Sequence, residues 1–144
     1  MIINYILFIF CPIICIIFHC SIILSIKLLF KNLNYVNLFL ITLILFLSHI
    51  AHNILYAFYY QYLVNTSTNI NIIINKANVT FIDFIYFSFS NYTTLGMGDI
   101  FITGDARLAA AIESLLGLIL IAWSASVTYY YLTYKTYPKK NNYK

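Results

Sequence analysis

The run Asn91-Tyr92-Thr93-Thr94-Leu95-Gly96-Met97-Gly98-Asp99 holds the most specific chemistry in this chain. Glycine is scarce, 4 in 144 residues, yet Gly96 and Gly98 stand two apart here. Glycine tolerates left-handed backbone angles that other residues resist, so alternate glycines let successive carbonyls point the same way. A row of such carbonyls can replace the water shell of a monovalent cation. Oxygen ligands without formal charge hold a large, weakly hydrated ion and let it leave again. The spacing suits passage of a cation.

A second set of residues invites metal chemistry. Cys11, Cys15 and His19 follow one another at four-residue steps on one helical face, and His49 and His52 share a face farther along. Together they have the residue types of a metal or haem site. The cysteines lack a C-x-x-C or C-x-x-C-H spacing, and a buried free cysteine is a common small hydrophobe. Packing as small hydrophobes therefore competes with the metal or haem reading. Cysteines at these positions imply no disulfide framework. No Walker motif, zincin motif or catalytic pair is present, so no enzyme and no cofactor are expected.

The elements around these residues are apolar. Hydrophobic residues make up 62% of the chain and charged ones 8%, too few to cover a soluble surface. Ile2–26, Tyr35–Val64 and 106–132 each exceed the roughly 20 apolar residues that cross a ~30 Å hydrocarbon core. Pro12 is tolerated in such a span, with a kink. The first span lacks a positive leading region and a small-residue cleavage site, so it reads as a retained anchor rather than a signal peptide. Lys27 and Lys31 follow the first span, and Lys135, Lys139, Lys140 and Lys144 follow the third. The positive-inside rule makes both basic segments cytoplasmic and sets the N-terminus and the 65–105 connection outside. A formal charge of +4, scattered as it is, gives no case for nucleic acid.

Phe81 to Thr93 is about 13 residues, too short to cross and too apolar for a loop, and reads as re-entrant. Its C-terminus would carry about half a negative charge toward a cation, while Asp83 suits the opposite end. The 65–80 connection is rich in Asn and Thr but interrupted by Ile70, Ile72, Ile73 and Ile74, as in a turret packed on a neighbour. Asn65-Thr66-Ser67 and Asn78-Val79-Thr80 match the glycan acceptor pattern, which chance readily supplies in so Asn-rich a chain. Gly104 and Asp105 form a turn and N-cap before the third span.

Thr94-Leu95-Gly96-Met97-Gly98-Asp99 resembles the T-V-G-Y-G-D filter of potassium channels. The likeness extends through Tyr86-Phe87-Ser88, Gly117 and Ala122-Trp123-Ser124, and is similar overall to small prokaryotic-type channels of the two-helix pore family with an added N-terminal span. The resemblance implies an all-α integral membrane fold: three transmembrane helices, a re-entrant pore helix and a filter loop, repeated as a C4 homotetramer. The chain then divides into an N-terminal span and loop (1–34), an outer helix (35–64), a turret (65–80), pore helix with filter and mouth (81–105), an inner helix (106–132) and a short basic tail (133–144).

On this resemblance, carbonyls of Thr94, Leu95, Gly96 and Met97 line stacked K⁺ sites, the Thr94 hydroxyl completes the innermost one, and Gly98 shapes the mouth. Thr93, Asp99, Tyr86, Phe87, Ser90 and Glu113 support the loop. Glu113 either braces the pore helix, pairs with Arg107 or a neighbouring subunit, or snorkels to water. Gly117 is either a hinge or a site of close helix contact. Ile121, Ala125 and Thr128 line the cavity below. Met97 replaces the family's usual tyrosine, losing a hydroxyl while keeping an apolar contact with Tyr86 and Phe87. Potassium selectivity and a non-selective monovalent pore passing Na⁺ as well both remain open on that account. No span carries regularly spaced arginines, and the tail is short, so a leak or simply gated pore of the plasma membrane is expected.

Overall fold

The computed structural model describes residues 2–30, 34–74 and 78–136, with side chains over 8–30, 34–74 and 78–133. Lys31, Lys76, Lys139, Lys140 and Lys144 of the charge argument lie outside the described residues, and Lys135 is placed by its backbone alone. The order is α1 (Ile2–Leu29), α2 (Tyr35–Thr66), β1 (Ile72–Ile74), α3 (Phe81–Tyr92), β2 (Ile100–Ile102) and α4 (Ala106–Thr136).

Among the described residues, three helices are long and apolar enough to cross a membrane: Phe8–Leu29, Tyr35–Thr66 and Ala106–Thr133, with mean hydropathies of 2.6, 2.0 and 2.0. At 1.5 Å per residue even the 22 residues of the first cover a hydrocarbon core. Helix α1 continues through Pro12 without interruption. Its buried positions, Cys11, Cys15, His19 and Ile26, repeat on one stripe that faces the other helices. Ile9, Phe10, Ile17 and Leu24 lie on the outward side. Helix α2 begins at Asn34, whose side chain accepts from the Asn37 N–H at 2.7 Å.

Two apolar clusters hold the bundle. The larger joins Cys11 and Cys15 of α1 to Tyr56, Tyr60 and Leu63 of α2, Phe84 and Phe87 of α3, and Leu116 and Leu120 of α4. A smaller one, Ile26, Ile41 and Leu45 with Val127 and Tyr131 against it, closes the far end.

The isoleucine-rich connection adds an element that helical periodicity does not announce. Ile72–Ile74 pairs antiparallel with Ile100–Ile102, in the register Ile72 to Ile102, Ile73 to Phe101 and Ile74 to Ile100. Ile100 and Ile102 point inward and Phe101 outward, as the strand period requires. The residues before α3 are thereby laced to those that follow the glycine loop.

Candidate ion filter and the polar core behind it

Helix α3 is fastened at its start by Asp83, whose carboxylate accepts from the Thr80 N–H at 2.6 Å and from its hydroxyl at 2.8 Å. Phe84, Phe87, Ser88 and Tyr92 turn inward and seat the helix on α2 and α4. Its last carbonyls then meet the loop. Thr93 N–H donates to Phe89 O at 3.1 Å and Thr94 N–H to Asn91 O at 2.8 Å.

Beyond Thr94 the backbone changes hand at every second residue. Thr94, Gly96 and Gly98 have φ of 58°, 58° and 80°. Glycine adopts such angles freely; a threonine does so rarely, and Thr94 is therefore a local outlier. Ser90 explains how the conformation is held. Its carbonyl accepts the N–H groups of Leu95 (2.9 Å) and Gly96 (3.1 Å), and its hydroxyl accepts that of Met97 (3.1 Å). In a trans peptide the N–H and the preceding C=O point in opposite directions. Three consecutive N–H groups turned toward Ser90 thus turn the carbonyls of Thr94, Leu95 and Gly96 away from α3, side by side.

The remaining loop residues divide by side. Thr93 Oγ1 donates back to Phe89 O at 2.7 Å. Leu95 and Met97 are 62% and 57% exposed on the single chain. Asp99 accepts the Tyr86 hydroxyl at 3.2 and 3.0 Å through its two oxygens. Partial burial and that carboxylate push the Tyr86 phenol above its ordinary pKa. Phe87 sits in the larger apolar cluster, in edge contact with Tyr60 at 4.9 Å.

Behind α3, Glu113 is fully buried and accepts the hydroxyls of Ser88 and, at 2.6 Å, Tyr60. Ser88 also donates toward Asn53 Oδ1 at 3.3 Å, extending the net to α2. Arg107 is elsewhere, exposed, with its Nε donating to Gly104 O at 3.2 Å. One turn farther along α4, Gly117 touches the end of α3: a Cβ there would stand 2.0 Å from the Tyr92 carbonyl oxygen. Gly104, with φ of 64°, makes the turn before α4 against Asn69, as the sequence suggests.

A family model described as ion channel matches residues 6–134. The chain belongs to that ion-channel family. No curated protein and no solved structure matches it. In this ion channel α4 carries Ile121 and Ala125 on exposed positions and Thr128 half-buried, its hydroxyl bonded to Ser124 O at 3.0 Å.

The channel also gathers its three histidines, which sequence reasoning places on two separate helix faces. His19 of α1 and His49 and His52 of α2 offer ring nitrogens that all lie within 4.8 Å of one another. Tyr92, the last residue of α3, meets His49 Nδ1 at 2.7 Å and His52 Nδ1 at 3.4 Å through its hydroxyl. Ser124 of α4 meets His49 Nε2 at 2.9 Å and His19 Nε2 at 3.1 Å. Cys11 and Cys15 remain free thiols in the apolar cluster. Ser124 and Tyr92 carried no metal or network signal in the sequence, because only packing of four helices brings them to the histidines.

Proposed function

We propose that this channel conducts monovalent cations, K⁺ in preference to Na⁺, through a pore formed by four copies around one axis. The observation that carries the reading is the alternation of backbone hand at Thr94, Gly96 and Gly98, with three N–H groups tied to Ser90. One chain supplies a single wall of carbonyls; a closed ring of four surrounds an ion. Thr94, Leu95, Gly96 and Met97 contribute the ion-facing oxygens, the Thr94 hydroxyl the innermost, and Gly98 the mouth. The exposed side chains of Leu95 and Met97 then pack on the next subunit instead of on solvent.

The C-terminus of α3 aims its partial negative charge at the ion path, which favours cations over anions. In this reading the protein sits in the plasma membrane; Lys27 in the last turn of α1, by the positive-inside rule, supports an orientation with the N-terminus and filter outside. A non-selective pore is the second reading. Its support is Met97, which has no hydroxyl to anchor the loop from behind.

The test is reconstitution in liposomes with opposed K⁺ and Na⁺ gradients. A reversal potential near the K⁺ value is expected. A value near zero with robust current selects the non-selective pore, and absence of current overturns both.

A further inference from the structure

The histidine cluster forms a single chain of hydrogen bonds between two backbone carbonyls. From one end it runs Cys15 O, His52 (3.1 Å), Tyr92 (3.4 Å), His49 (2.7 Å), Ser124 (2.9 Å), His19 (3.1 Å), Ser48 (3.4 Å) and Leu45 O (2.7 Å). Those are 7 links joining 6 side chains, and each neutral imidazole or hydroxyl brings one hydrogen, giving 7 − 6 = 1 link without one. Carbonyls only accept, so neither end can supply the missing hydrogen. Somewhere along the neutral chain two lone pairs face each other. The links at 3.4 Å, next to each end, are the long ones. One added proton or metal ion would resolve that conflict.

We propose that His19, His49 and His52 bind a divalent transition-metal ion of the Zn²⁺ class, with the Tyr92 hydroxyl as fourth donor. The rings form a near-regular triangle, with centroids 5.3, 5.5 and 6.1 Å apart. Imidazole is the ligand such ions favour, and three of them with one oxygen complete a tetrahedral set. Zn–N bonds of about 2.0–2.1 Å place the nitrogens roughly 3.3 Å apart. From within 4.8 Å this needs small ring movements only. His52 is already oriented as a ligand: its Nε2–H donates to the Cys15 carbonyl, leaving the Nδ1 lone pair on the inner side. His19 and His52 are buried, whereas His49 is half-buried and leaves a way in. Phe18 and Trp123 pack on the rings and give the site an apolar shell.

The site would tie α1 and α2 to Tyr92, the residue on which the filter loop begins. A bound ion therefore fixes the foot of the filter. The binding claim does not depend on which ions the pore conducts.

Trp123 is the only tryptophan, and its ring centre lies 6.1 Å from that of His19, a built-in reporter. The full-length protein in detergent, stripped with chelator, is titrated with Co²⁺ while tryptophan emission and visible absorption are read. Saturable quenching at one ion per chain is expected, reversed by chelator and by excess Zn²⁺, with the intense visible bands of a tetrahedral Co²⁺ site. H19Q and H52Q should each weaken binding by tenfold or more in protein that elutes as the wild type does. Wild-type protein showing no Co²⁺ bands overturns the proposal whether or not the variants fold. Quenching that survives both substitutions overturns it too, as does quenching by acid with no response to Co²⁺.

Discussion

Gly117 and Tyr92 share a contact that leaves no room for a side chain. A Cβ on Gly117 would lie 2.0 Å from the Tyr92 carbonyl oxygen and 2.9 Å from its Cγ. Helix α4 can approach the end of α3 only because position 117 is bare. G117A should force the pore helix and α4 apart and cost about 1–3 kcal/mol, at the upper end because the obstacle is backbone. Thermal melting of the detergent-solubilised protein checks this. An unchanged melting temperature would mean the two helices separate without cost.

Glu113 gives a second measurement of the same brace. E113A leaves the Ser88 and Tyr60 hydroxyls buried without their acceptor, which costs about 1–3 kcal/mol for each. E113Q keeps one acceptor oxygen and should lose less than half as much. Equal losses in the two variants, read by the same melts, would show that the side chain acts through volume alone.

Ser90 holds one loop N–H through its hydroxyl and two through its carbonyl. S90A therefore removes the Met97 anchor and spares the other two. A hydrogen bond of about 1 kcal/mol corresponds to roughly fivefold in an equilibrium, and the K⁺ to Na⁺ permeability ratio should fall by about that factor. The ratio comes from reversal potentials; one that does not move would separate Ser90 from selectivity.

Met97 should act in the opposite direction. M97Y adds a ring and a hydroxyl behind the loop, and the K⁺ to Na⁺ ratio is expected to rise. A ratio that drops, in protein that still conducts, would mean the neighbouring aromatics leave no room for a second ring.

The Tyr86 hydroxyl donates to Asp99, and its raised pKa dates the loss of that bond. A phenol raised in the folded state contributes fully below its unfolded value of about 10 and is lost as pH rises through the higher folded value. External alkalinisation to pH 9 should leave conduction intact, and decline should begin above 10. Y86F should abolish that alkaline step; a step that persists in Y86F belongs to another group.

The loop and the spans were legible because their signals are local. Apolar runs longer than a bilayer and glycines at alternate positions need no partner to be read. The left-handed angle at Thr94 escaped because a β-branched residue argues against it, and only the Ser90 bonds beyond it overcome that preference. The pairing of Ile72–Ile74 with Ile100–Ile102 escaped because three residues are too few for a strand period to stand out. The meeting of His19 with His49, His52, Tyr92 and Ser124 depends on how four helices rotate about their axes. Faces can be read from spacing, but which face meets which cannot.

The outward turn of Leu95 and Met97 bears on how a cell keeps count of its channels. In the proposed ring of four, a lone chain would leave Leu95 and Met97 uncovered and the Thr94, Leu95 and Gly96 carbonyls without an ion. The unassembled protomer would then be marked by the same segment that holds the ion in the ring, a feature by which surplus subunits could be told from assembled ones.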